Sequence, residues 1–437
     1  MKKTIQYLAL AILVIITAAG CSKSGNDDSA SLLRTVPADA SSVVMMNIGH
    51  TAKSLGCKTD GTTIKLSDKL QKALDESKAI KDDDRRLFKD ICEGKTGIAL
   101  TTVVYFSAAR SYLTGLLDDP DKFVDYISRM NATDSVSAAP VKEEDGGRVI
   151  GATAVVGNQF WVCVTGTPDV EQLRYYQNLN EKQSYASSDA SELLRKDDEA
   201  VTYVADISRT LNSIPEAGKI RMATSMMFED IAYVAGSANF SGNTFKASAM
   251  VLDSDMKPAE LTLPTEKIDA SVIKSFGQGA DLYFAAGLSQ KLTKKLADLA
   301  GTLMGPSGNT VSGPISQIDG TIAIRANDNA AETEVRVQTT GKDFAELSNI
   351  IQNLSGMTVT RDGNMLAATR GSKEFSGNIS PSEAAGRMKG AWIGFTAYNI
   401  PYKEMTTTAR LSTEKKSLRL DVDVEGGTDA ILTALMR

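Results

Sequence analysis

Four times along this chain an apolar run of strand length leads into a polar residue able to cap a helix. The runs are residues 43–47, 200–205, 280–286 and 391–398, and Asn47, Asp206, Ser289 and Asn399 stand at their ends. β-Branched and aromatic residues favour the pleated strand, while Asn, Asp and Ser offer a side-chain oxygen to the orphan N–H groups of a first helical turn. After Ser289, Leu292, Leu296 and Leu299 recur at helical spacing. A unit that returns in this way points to a weak internal duplication.

Hairpin signals alternate with these units. Residues 148–156 and 160–166 flank Gly157-Asn158-Gln159, and residues 231–240 and 244–252 flank Ser241-Gly242-Asn243. Residues 321–326 pair with 332–339 across a polar loop. Residues 357–361 and 364–369 flank Asp362-Gly363, a strong two-residue turn, and residues 407–412 and 417–424 flank Thr413-Glu414-Lys415-Lys416. Helical periods follow at residues 170–179, 343–354 and 428–435.

Hairpins alternating with helices imply an α+β fold, with antiparallel sheets built from hairpins, helices covering one face, and repeated strand–helix–hairpin units. A chain of 437 residues exceeds one ordinary core. The Pro-bearing, charged stretch 253–276 divides it, giving a first half over residues 37–255 and a second over 266–437.

The N-terminus is of another kind. Lys2 and Lys3 precede an apolar run from Leu8 to Ala19, and Ala18-Ala19-Gly20 stand directly before Cys21. A basic start, a short apolar run and small residues make a secretory signal over residues 1–20. The apolar run is too short to span ~30 Å of hydrocarbon. A cysteine after the small residues resembles the lipobox of bacterial lipoproteins, which implies cleavage before Cys21, acylation of its thiol and a membrane anchor. Two or three acyl chains hold firmly where one does not. Residues 22–31 are small and polar, so residues 21–36 are expected to form a flexible tether. Ser22 is not the Asp that, by resemblance to lipoprotein sorting, retains a chain at an inner membrane, so an outer-membrane destination is favoured. Asp27-Asp28 faintly resembles an acidic surface-export tag, which leaves the periplasmic and cell-surface faces both open.

A lipobox, a polar tether, then Val36-Pro37-Ala38-Asp39-Ala40 before a strand resembles an uncharacterised family of Bacteroidota lipoproteins, a domain of unknown function. The resemblance implies envelope localisation and an α+β repeat architecture. It brings no catalytic residue.

Candidate chemistry is sparse. His50, the only histidine, has no G-x-S-x-G elbow to serve and suits a turn or cap. Glu93-Gly94-Lys95-Thr96-Gly97 ends like a phosphate loop, but Lys89 stands where its first glycine is required. Ser271 and Ser412 each begin an S-x-x-K without the partner motifs of penicillin-recognising enzymes. Acids cluster at residues 82–84, 118–119, 143–145 and 197–199, as expected of solvated faces and helix starts. Asp421, Asp423 and Glu425 alternate with period two, the mark of one strand face rather than a calcium loop.

Of the remaining cysteines, Cys163 lies in an apolar run and suits a buried position. Cys57 and Cys92 have the option of pairing in an oxidising compartment. Aromatics make up only 6%, with Phe160-Trp161 and Tyr175-Tyr176 as local candidates for stacking a sugar, and Trp161 better suited to a core.

A net charge of −6 without a basic block argues against nucleic acid. The sequence therefore points to a membrane-anchored cell-envelope lipoprotein, non-enzymatic and with no cofactor or metal. Its role would be binding or structural, towards an envelope protein or a glycan. The alternatives are a surface glycan-associated protein, a filament subunit trimmed at an exposed Arg34-Thr35, and a carboxylate-based hydrolase.

Overall fold

A computed structural model describes residues 25–59, 63–76, 82–131, 139–196, 198–212, 217–241, 244–304, 312–327, 332–340, 345–371, 375–400, 403–414 and 416–426. The signal segment, Cys21 and the helical period at 428–435 lie outside the described residues. The chain forms two compact units, and the change between them falls between Lys257 and Pro258, with Met222–Asp230 belonging to the second.

The first unit holds β1 (Ser42–Asn47), β2 (Lys58–Thr59), β3 (Ile64–Lys65), β4 (Ile98–Ser107), β5 (Ser111–Leu117), β6 (Lys142–Glu144), β7 (Gly147–Ile150), β8 (Thr153–Val156), β9 (Gln159–Cys163), β10 (Val201–Asp206), β11 (Tyr233–Ser241) and β12 (Thr244–Leu252). Apart from the small β2–β3 ribbon, these strands pair antiparallel in the order β12-β11-β10-β1-β4-β5-β9-β8-β7-β6. The second unit holds β13 (Leu282–Leu288), β14 (Ile318–Ala326), β15 (Thr333–Thr339), β16 (Thr358–Asp362), β17 (Met365–Arg370), β18 (Ile393–Tyr398), β19 (Thr406–Glu414) and β20 (Ser417–Glu425). Its antiparallel order is β20-β19-β18-β13-β14-β15-β17-β16.

Without β6 and β7 the two orders are identical, and the registers agree as well. Ser42 faces Ala205 and Ser107, as Leu282 faces Ala397 and Ala326. Tyr233 faces Asp206 and Leu252, as Thr406 faces Tyr398 and Glu425. The chain is thus a structural duplication, and each copy holds two strand–helix–hairpin units built on β1 and β10, or on β13 and β18.

Local chemistry explains the recurrence. Ala40, Ala200, Ala280 and Ala391, each at most 3% exposed, precede the four leading strands. At the strand ends, Asn47 Oδ1 accepts from the His50 N–H at 2.8 Å, Asp206 Oδ1 from the Arg209 N–H at 2.9 Å, and Ser289 Oγ from the Leu292 N–H at 3.3 Å. Helices Ile48–Ser54, Ile207–Asn212 and Gln290–Met304 follow. At the fourth, Asn399 turns into positive φ (61°) and its Oδ1 accepts from the Glu404 N–H, so the described chain makes a turn there.

Three expectations change. Residues 148–156 do not form one strand: Gly151 at φ 61° reverses the chain and splits them into β7 and β8. Helices reach both sheet faces. Phe160 packs on Phe123 of helix Pro120–Met130, its centroid 5.3 Å away, while the adjacent Trp161 points oppositely, towards Tyr176 of helix Val170–Gln177. In the second unit Ile322 and Ala323 likewise enter separate cores. The α+β class itself stands.

The third change concerns the tether. Residues Gly25–Arg34 form a helix in which Leu32 and Leu33 are fully buried, and Val36 beyond it is fully buried too. Polar composition suggested a linker, but three apolar side chains suffice to dock the segment on the core around β1 and β4. Among the described residues no helix is long and apolar enough to cross a membrane.

Candidate functional site

A concave surface of the first unit lies around helix Val170–Gln177. Asp169 caps it, accepting from the Gln172 N–H at 3.2 Å, and Val170, Leu173 and Tyr176 form its buried stripe. That spacing turns Gln172 sideways and Tyr175 outward, where the ring is 54% exposed. Two other segments approach it. Pro37-Ala38-Asp39 is held by the Ala38 N–H donating to the Gln183 carbonyl at 2.7 Å, and the turn between β4 and β5 brings Ala109 and Arg110. Together they line a cleft of about 410 Å³ that contains Asp39, Gln172, Tyr175, Tyr176 and Gln183. A more open recess of about 470 Å³ shares Ala109, Gln172 and Tyr175 and adds Arg110, Asp169 and Glu171.

The floor of the cleft is a ladder of neutral polar groups on an aromatic base. The Tyr112 hydroxyl donates to Gln172 Oε1 at 3.2 Å, Gln172 Nε2 donates to the Tyr176 hydroxyl at 3.1 Å, and Gln183 Nε2 donates to the Tyr175 hydroxyl at 3.3 Å. Beneath, Phe106, Tyr112, Trp161 and Tyr176 pack mostly edge to face, their centroids 5.7–6.4 Å apart. Burial pushes Tyr112 up to about 12, with Cys163 adding to the rise and Arg110 opposing it. Burial, then Asp39, also raises Tyr176. Both phenols stay protonated near neutrality, so they orient amides and hydroxyls rather than attack. Arg110 donates to the Thr167 carbonyl at 2.7 Å. An exposed ring beside amides, a guanidinium and carboxylates is a set suited to a polyhydroxylated ligand.

The structure places the other candidates elsewhere. His50 lies in the first turn of helix Ile48–Ser54, its Nε2 3.0 Å from Asn239 Oδ1, and so links that helix to β11. Lys95 pairs with Glu93 and Asp90, and the Gly97 carbonyl accepts from the Asp118 and Asp119 N–H groups at the start of helix Pro120–Met130. A methyl at Gly97 would fall 2.3 Å from the Asp119 carbonyl oxygen, so this glycine serves close packing, not a phosphate. Ser271 Oγ donates to Asp269 Oδ1 at 2.7 Å in a short helix, while Ser412 lies in β19.

Among the acids, Asp82 and Asp83 start a helix and pair with Arg85 and Arg86. Asp119 caps another, and Asp118, raised by burial and by Asp28, lines none of these recesses. Glu143 and Glu144 form the exposed β6. Glu199 accepts from the Ser237 hydroxyl. Asp421, Asp423 and Glu425 sit in β20 paired with Arg419, Arg410 and Arg387. The described residues contain no cluster of three His, Cys, Asp or Glu able to hold a metal. Cys57, Cys92 and Cys163 are buried free thiols. Trp161 is fully buried and Tyr176 nearly so, leaving Tyr175 as the exposed ring of the candidate aromatics. Arg34 is exposed, but Thr35 is buried with its hydroxyl on the Leu32 carbonyl, so that bond does not lie in an open linker.

Sequence reasoning missed two things. One is that Pro37-Ala38-Asp39, noticed only as the start of the fold, lines the cleft. The other lies in the second unit: Arg325 of β14, 4% exposed, forks onto Glu334 of β15 at 2.5 and 2.9 Å, and Glu334 also holds Arg336 at 2.9 Å. The Arg325 guanidinium lies 3.8 Å from the Phe375 centroid and 5.0 Å from that of Phe276. This trio is saturated by its own partners and fixes the sheet to its covering segments.

No family model matches the chain, and no curated protein matches it. Among solved structures, crystal form III of TP0453 is similar over 81% of this chain and 96% of its own, with 9% identity and a TM-score of 0.26. Crystal form I of TP0453 is similar over 81% and 95%, with 11% identity and a TM-score of 0.26.

Proposed function

We propose that this chain is a cell-envelope lipoprotein, anchored at the outer membrane through acylated Cys21, that acts by binding rather than by catalysis, with a saccharide as the ligand of its first unit. The cleft around Tyr175 carries the reading: a half-exposed ring stands over hydrogen-bonded amides and protonated phenols. A sugar face stacks on such a ring while its hydroxyls exchange hydrogen bonds with Gln172, Gln183 and Asp39. A glycosidase would need two carboxylates facing each other across the cleft, and Asp169 spends an oxygen capping its helix. The anchor reading rests on the order of Lys2-Lys3, the apolar run and Ala18-Ala19-Gly20-Cys21.

Glycan-array binding by the full-length protein tests the ligand. Tyr175→Ala is expected to weaken binding about fivefold, as a stacking contact of ~1 kcal/mol implies, while Tyr175→Phe keeps the ring and most of the affinity. A blank array, or binding indifferent to Tyr175→Ala, removes the saccharide reading. Mass spectrometry of the mature N-terminus tests the anchor separately: an unacylated Cys21 would overturn it.

A further inference from the structure

Another cavity, of about 440 Å³, opens beside helix Gly25–Arg34. Two arginines line its wall from different elements. Arg34 comes from the last turn of that helix, and Arg195 is the residue that closes helix Ala190–Leu194. Ser184, Ser187 and Glu181 line the wall with them.

Arginines elsewhere in this acidic chain are mostly neutralised at contact distance. Arg148 holds Asp121, Arg325 holds Glu334, Arg387 holds Glu383 and Glu425, and Arg410 holds Asp423. Among the described residues neither Arg34 nor Arg195 has a carboxylate within ion-pair distance; Arg195 reaches only Ser191 Oγ, at 3.4 Å. The serine hydroxyls are already committed inward. Ser184 Oγ donates to the Leu33 carbonyl and Ser187 Oγ to the Ser184 carbonyl. Apart from the Arg195 contact with Ser191, the charged donors lining the cavity are the two guanidiniums, and with Glu181 they leave its wall net positive. Two like charges sharing one recess favour an anion between them, and the planar fork matches pairs of phosphate oxygens.

We propose that this cavity binds a phosphate group held between Arg34 and Arg195. A phospholipid headgroup and free phosphate present the same chemistry. The headgroup source rests on the Cys21 anchor: the helix begins four residues beyond that cysteine, and an extended residue spans at most about 3.6 Å, which would keep the cavity close to a membrane surface. Binding of free phosphate needs no anchor.

The test uses the full chain carrying Cys21→Ser, so that no acyl group contributes. Inorganic phosphate is titrated by calorimetry, and the protein is sedimented with vesicles of phosphatidylglycerol or of phosphatidylcholine. The double variant Arg34→Gln/Arg195→Gln is expected to lose at least tenfold in affinity with its thermal midpoint kept. Lys196→Gln, which removes an adjacent charge outside the cavity wall, should change it less than twofold. Saturable phosphate binding that the double variant loses assigns the free anion. Sedimentation with phosphatidylglycerol alone, also lost in the double variant, assigns the headgroup. Failure of both probes, or binding that survives the double substitution, overturns the proposal. Saccharide binding at Tyr175 is read in the same variants, so the two sites fail independently.

Discussion

Laid strand on strand, the two units put different chemistry into one slot. Phe106 of β4 faces Tyr112 of β5 in the first; at the same positions in the second, Arg325 of β14 faces Glu334 of β15. The first pair belongs to an aromatic cluster with Trp161 and Tyr176. The second is an ion pair whose guanidinium lies over the rings of Phe276 and Phe375. What the slot demands is a flat group with flat neighbours, and a guanidinium neutralised by a carboxylate meets that demand as an aromatic ring does. The consequences differ: the aromatic core loses packing when cut, whereas the ionic core is left holding an unpaired charge.

That contrast can be broken experimentally. Trp161→Ala should cost the first unit about 5 kcal/mol in urea unfolding, at the upper end for an aromatic truncated in a closed core. A cost under ~2 kcal/mol would show that the cluster is loosely packed. Glu334→Gln should cost the second unit about 3 kcal/mol, because the amide keeps an acceptor but leaves Arg325 buried without its counter-charge. The combined change Arg325→Phe/Glu334→Tyr, which copies the first unit, should recover most of that loss. If it does not, the slots are not equivalent.

A further effect is expected in alkali. Burial raises Tyr112, Tyr126, Tyr176, Tyr185 and Tyr203 in the first unit and Tyr283 in the second. A phenol whose folded pKa exceeds its unfolded value near 10 contributes stability that is complete below pH ~10 and is lost as pH rises through the folded value. For Tyr112 and Tyr283 that value is about 12. Each such group adds a slope of at most ~1.4 kcal/mol per pH unit, so between pH 10 and 12 the first unit should weaken more steeply. Equal slopes by near-ultraviolet titration would contradict the burial difference.

Much of the scaffold was legible because its signals are local. Asn47, Asp206 and Ser289 mark helix starts by their own side chains, and Asp362-Gly363 marks a turn by its backbone freedom. The break at Gly151 was hidden, since 148–156 is uniformly strand-like and one positive φ divides it. Helix Gly25–Arg34 was hidden because only its last turn is apolar. The site was legible in part. Tyr175 and Tyr176 were noticed as neighbours, but which one faces solvent follows from the stripe Val170, Leu173, Tyr176, and the approach of Asp39 and Arg110 is purely tertiary. The trio of Arg325, Glu334 and Arg336 has a partial signature, since Glu334 and Arg336 alternate along β15. Charges in strands ordinarily mark a solvated face, and only cross-strand register shows that these neutralise one another.

Equal strand lengths and registers also make the hairpins β11–β12 and β19–β20 alike in backbone. Gly236 is where they differ. It faces Tyr203, and a Cβ there would lie 2.1 Å from the Ser248 carbonyl oxygen of its own hairpin and 2.6 Å from the Tyr203 ring. The matching residue of the other hairpin is Ala409, which faces Phe395 in its own sheet. One hydrogen atom in place of a methyl group thus marks the difference between two hairpins whose backbones are otherwise alike, and that hydrogen is demanded first by the hairpin's own Ser248 carbonyl.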